Sequence, residues 1–70
     1  MTQQEELALA KKYNVTVIPD PFRGGGWYSF SINDIRIWAY SQGWVRACLV
    51  NGYYTNHSYY DTLEEAFANL

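Results

Sequence analysis

One thiol and one imidazole, Cys48 and His57, are the residues of this sequence nearest to nucleophilic chemistry. A thiolate–imidazole dyad needs the two groups within hydrogen-bond reach and a third group to orient the base. On a hairpin turning at Asn51-Gly52, Cys48 faces Thr55, and His57 becomes its diagonal neighbour. No orienting carboxylate and no oxyanion nest accompanies them, so the pair reads as a small buried thiol beside a surface histidine. The acids offer no more. Glu5-Glu6 and Glu64-Glu65 are adjacent pairs that diverge around a helix, and Asp20, Asp34 and Asp61 are scattered without ligand spacing. Gly24-Gly25-Gly26 lacks the lysine and the strand-to-helix setting of a phosphate loop. These residue types predict no enzyme, no metal and no cofactor.

The unusual feature is the aromatic content, 19% of the chain, from seven Tyr, three Trp and three Phe. Tryptophan, tyrosine and arginine are the side chains enriched where proteins bind proteins, and they also stack and clamp single-stranded bases. Which of them share a surface depends on the elements that hold them.

Seventy residues make one small domain, 1–70, with a single thin core. Thr2-Gln3-Gln4-Glu5 is a capping box for a helix reaching Tyr13, with Lys11 and Lys12 at its cation-favouring end and Asn14 as a left-handed cap. Val15-Thr16-Val17-Ile18 is β-branched and short, and Pro19-Asp20-Pro21 stops it. From Trp27 to Tyr60 the chain reads as a meander turning at Asn33-Asp34, Gln42-Gly43 and Asn51-Gly52. Thr62 to Glu65 is a second capping box, and Leu63, Ala66, Phe67 and Leu70 are the stripe of a last helix. The expected class is α+β: an antiparallel meander of four main strands with an N-terminal and a C-terminal helix packed on it.

Keeping one face apolar selects the register. A two-residue turn at Asn33-Asp34 gathers Tyr28, Phe30, Ile32, Ile35, Ile37 and Ala39 on that face. At the next turn a two-residue loop at Gln42-Gly43 sets Arg46 against Ala39, whereas a three-residue loop, Ser41-Gln42-Gly43, sets Val45, Ala47 and Leu49 there and buries no charge. The three-residue loop is the expectation, with Gly43 as a bulge residue at positive φ. The other face then carries Trp27, Ser29, Ser31, Arg36, Trp38, Tyr40, Trp44, Arg46, Cys48, Val50, Tyr53, Thr55, His57 and Tyr59. The partner-binding candidates are Trp27, Arg36, Trp38, Tyr40, Trp44, Arg46, His57 and Tyr59. Three arrangements stay open: the N-terminal helix covers this face as a second core layer, the face is a free contact surface, or the register slips by one.

Five Lys+Arg against seven Asp+Glu give a net charge of −2, and the basic excess usual in a duplex-binding domain is missing. Lone Cys48 excludes an internal disulfide, the first residues are polar and acidic, and no apolar run is long enough to span a membrane. A cytoplasmic location is expected.

Two stretches resemble known families. Tyr59-Tyr60-Asp61-Thr62-Leu63-Glu64-Glu65-Ala66 looks like the strand-to-helix junction of AP2-type and integrase arm-type DNA-binding domains, three-stranded meanders followed by a helix. That resemblance implies DNA contact through the sheet, here by Arg36, Arg46 and the tryptophans. The order helix, meander, helix is similar to double-stranded RNA-binding domains, which carry lysines where this chain has Glu64 and Glu65. By type alone, a small acidic aromatic-rich chain is similar to accessory proteins of phages and mobile elements, including anti-CRISPR inhibitors that occupy a site on a host protein. The expected function is a non-enzymatic binding module of that inhibitory kind with a host protein as partner. The alternative is a nucleic-acid-binding domain using the same face.

Overall fold

The computed structural model describes residues Met1–Leu70. Its elements run α1 (Gln3–Tyr13), β1 (Thr16–Pro19), a 3-10 turn (Pro21–Arg23), β2 (Tyr28–Ile32), β3 (Ile35–Tyr40), β4 (Gly43–Val50), β5 (Tyr53–Tyr60) and α2 (Leu63–Ala68). The class is α+β, and the five strands form one antiparallel sheet in chain order. The fifth strand is β1, the short β-branched stretch, which pairs with β2 along its whole length.

The local signals act as elementary capping chemistry requires. The Thr2 hydroxyl accepts from the Glu5 amide at 3.1 Å, and the Glu5 carboxylate accepts from the Thr2 amide at 2.8 Å. Asn14 ends α1 at φ 58°. At α2 the Thr62 hydroxyl accepts from the Glu65 amide at 3.2 Å, one half of the expected capping box. Asn51 and Gly52, at φ 52° and 83°, close the β4–β5 hairpin with Val50 opposite Tyr53, as expected.

Both helices pack on the same side of the sheet. Leu9 and Ala10 of α1, Leu63, Ala66 and Phe67 of α2, and Phe30, Ile37 and Trp44 of the sheet form one buried cluster with Val15. Phe67 meets the Phe30 ring edge-on at 5.2 Å and Tyr13 at 5.5 Å.

The β3–β4 register differs from the sequence-based expectation. The loop is Ser41-Gln42, two residues, so Tyr40 pairs with Gly43, Ala39 with Trp44 and Ile37 with Arg46. Arg46 and Phe30 therefore share the helix-covered face, while Val45, Ala47 and Leu49 lie on the other. The reason is energetic. Seating the Trp44 indole in the core removes roughly 150–250 Å² from water, about 4 kcal/mol or more at roughly 25 cal/mol per Å². The opposing cost is smaller. Arg46 is half-buried with its Nε left without a partner, and one unpaired buried donor costs about 1–3 kcal/mol. Gly43 still has positive φ, 151°, but as the first residue of β4 rather than in a bulge. A Cβ there would collide with the Tyr60 carbonyl oxygen.

The bulge lies instead on β5. Arg46 pairs with Ser58 but Cys48 pairs with Thr55, so Asn56 and His57 together face Ala47, with Asn56 at φ 56°. One extra residue in a strand reverses the facing of everything beyond it. Thr55 stays with Cys48 on the helix side, while His57 and Tyr59 return to the open side.

Candidate contact face

The open face is a floor of small residues under aromatic side chains. Val45 lies between Trp38 and Tyr59 in one cross-strand row. Trp38 of β3 reaches across to β5, with ring centroids 5.3 Å from Tyr54 and 6.0 Å from His57, and Tyr40 meets Tyr59 at 5.5 Å. These contacts bridge over β4, and Val45 and Ala47 are buried there with no helix above them. Arg36 directs Nη1 at the Tyr54 hydroxyl at a long 3.4 Å. At the β1 end the face falls into a hollow of about 340 Å³ whose lining includes Asp20, Pro21, Phe22, Ser29, Arg36, Trp38 and Tyr54. Phe22 is 99% exposed on its rim.

Of the eight residues singled out by sequence, Arg36, Trp38, Tyr40, His57 and Tyr59 stand together here. The other three do not, which corrects the expected face. Trp44 is a core residue, and Arg46 points to the helix side because β4 is shifted by one. Trp27 precedes β2 and is held by Arg23, whose guanidinium carbon lies 4.8 Å from the ring centroids of both Trp27 and Trp44. Arg23 is in turn gripped by Glu6, whose carboxylate accepts from Nη1 at 2.8 Å and Nη2 at 2.9 Å, while Nη1 also donates to the Tyr28 carbonyl at 2.7 Å. Hydrogen bonding to Glu6 raises the Arg23 pKa above its ordinary value, with burial opposing.

Tyr54 and Phe22 belong to the open surface and were missed. Tyr54 was hidden by the register slip. Phe22 carries a signal of its own, a large apolar residue inside a proline-flanked turn, where no regular element buries it. Cys48 and His57 occupy opposite faces, so the thiol–imidazole pair does not assemble. No group of three or more His, Cys, Asp or Glu side chains is arranged to hold a metal, and no helix is long and apolar enough to cross a membrane.

The cations are distributed unevenly. Lys11 and Lys12 are on α1, Arg23 is in the Glu6 pair, and Arg46 faces the helices, so Arg36 alone represents the five on the open face. Compared with family models, curated proteins and solved structures, the chain matches none.

Proposed function

We propose that this chain is a non-enzymatic binding module that seats a protein partner on the open face of its sheet, through Arg36, Trp38, Tyr40, Tyr54, His57 and Tyr59. One observation carries the reading: both helices lie on the opposite face, which leaves a sheet surface of aromatics without cover. Rigid aromatic side chains around a single arginine are the composition of binding hot spots. The distribution of charge favours protein over nucleic acid, because one cation on the face neutralises one phosphate where a polyanion requires several. The role we assign is inhibitory, the occupation of a site on a host protein, in the manner of the small phage and mobile-element accessory proteins that the chain is similar to by type.

The test is capture from lysate of the native host, treated with nuclease, on immobilised wild-type chain and on its Trp38→Ala variant. A stoichiometric protein retained by the wild type and lost by the variant supports the reading. Retention that disappears with nuclease, or micromolar binding of a labelled oligonucleotide abolished by Trp38→Ala, replaces it with the nucleic-acid alternative.

A further inference from the structure

The edge strand β5 reads Tyr53-Tyr54-Thr55-Asn56-His57-Ser58-Tyr59-Tyr60. About its midpoint, between Asn56 and His57, it is a chemical palindrome: tyrosine mirrors tyrosine twice, and hydroxyl mirrors hydroxyl at Thr55 and Ser58. From the geometry of this strand we infer that β5 pairs antiparallel with β5 of a second copy of the chain, about a two-fold axis through that midpoint, to give one continuous sheet.

The edge is open. β5 pairs only with β4, and its residues are exposed apart from half-buried Ser58 and Tyr60. An edge strand presents unpaired N–H and C=O groups, and proteins that must stay apart blunt such edges with lysine, other charges or proline. β5 has none of these along its eight residues; the one edge-blunting device it carries is the Asn56 bulge, which the pairing takes up at the two-fold axis. The opposite edge, β1, is four residues long and ends in Pro19.

Face parity decides whether the palindrome can be used. In a regular strand, mirror positions about a bond midpoint point to opposite faces, and a two-fold pairing would set unlike faces against each other. The Asn56 bulge removes that obstacle. Tyr54 and Tyr59 are both on the open face, and Thr55 and Ser58 both on the helix face, because Tyr54 pairs with Leu49, Tyr59 with Val45, Thr55 with Cys48 and Ser58 with Arg46. The two-fold pairing therefore sets Tyr54 beside Tyr59 of the second copy, and Thr55 beside its Ser58, each pair on a common face. Aromatic–aromatic and Thr–Ser pairs are the favourable cross-strand combinations, and no like charges meet across the axis. The open faces of the two copies then run together. The inference does not depend on the proposed partner, since β5 would pair whether or not that face binds protein.

Sedimentation of the full chain in reducing buffer, which keeps Cys48 from linking copies, tests the pairing. The mass is expected to rise from 8.1 kDa towards twice that value with concentration, and a mass that stays monomeric up to about 1 mM overturns the inference. Two double variants test the register. Ser58→Asp with Thr55→Glu sets like charges across the axis, and Ser58→Asp with Thr55→Lys sets opposite charges there. The second is expected to dimerise at least about tenfold more tightly than the first, and equal dimerisation overturns the register. Should either variant fail to fold, a mixed-isotope sample of the wild-type dimer answers instead. Contacts between Tyr54 of one copy and Tyr59 of the other support the pairing, and their absence in a dimeric sample overturns it.

Discussion

Glu6 and Arg23, seventeen residues apart, form a two-pronged ion pair in which the carboxylate is almost wholly buried and the guanidinium lies against the rings of Trp27 and Trp44. The pair ties α1 to the turn before β2 and positions Trp27. Removing Glu6 leaves Arg23 with the Tyr28 carbonyl and part of its access to water, so Glu6→Leu is expected to cost about 1.5–3 kcal/mol. Adding Arg23→Met, which keeps an apolar stem between the indoles, should recover part of that loss. Urea unfolding of the two variants checks this, and a double variant less stable than Glu6→Leu contradicts it.

Glu5, one residue earlier, behaves differently because it is at the surface. Its bond from the Thr2 amide, aided by the Thr2 hydroxyl, holds its carboxyl below the ordinary value of 4.5. A depressed folded-state value means stabilisation that is present above the unfolded carboxylate range and lost as pH falls through the folded value. Glu5→Ala should therefore be less stable than wild type at neutral pH, and the gap should close on acidification. A gap that widens in acid would contradict the capping account.

Gly43 is where β4 begins against the end of β5. With φ of 151° and the Tyr60 carbonyl oxygen where a Cβ would stand, Gly43→Val should cost more than about 1 kcal/mol. Thermal melting measures it, and an unchanged midpoint would contradict the close approach.

The two faces of the sheet should respond differently to the same substitution. Trp44→Ala opens a hole between Phe30 and the Arg23 stack, and Phe67→Ala removes the ring that joins both helices to the sheet. Each is expected to cost roughly 3–5 kcal/mol, much of the about 5–10 kcal/mol available to so small a domain. Trp38→Ala uncovers Val45 and Ala47 without opening the core and should leave the chain folded. Circular dichroism of the three variants decides. An unfolded Trp38→Ala beside a folded Trp44→Ala would reverse the assignment of faces.

What was legible in the sequence was what is decided locally. Thr2, Glu5 and Asn14 cap a helix by contacts within five residues, and Asn51-Gly52 sets its hairpin by backbone conformation alone. The register of β4 was not local. Rejecting a charge on the apolar face is sound where side chains end in the core. Arg46 shows the exception: it is only half-buried, and the Trp44 indole beside it outweighs one unpaired N–H. The Asn56 bulge left no mark beyond an asparagine that tolerates positive φ, and it restored His57 and Tyr59 to the expected face after the slip had removed Trp44 and Arg46 from it. The Glu6–Arg23 pair was invisible because nothing in a sequence ties a first-turn glutamate to an arginine in a distant turn.

The central claim is that the open aromatic face binds a protein, and the most direct measurement is the affinity of the captured protein for variants on each side of the sheet. Trp38→Ala and Tyr54→Ala, on the open face, should each weaken binding by about 2 kcal/mol, roughly thirtyfold. Lys12→Ala and Glu64→Ala, on the helix side, should leave it within about threefold, and the affinity should fall with salt by no more than a slope of about one for the single arginine on the face. Binding that is lost with the helix-side variants but survives Trp38→Ala, or a salt slope of several units, would contradict the account.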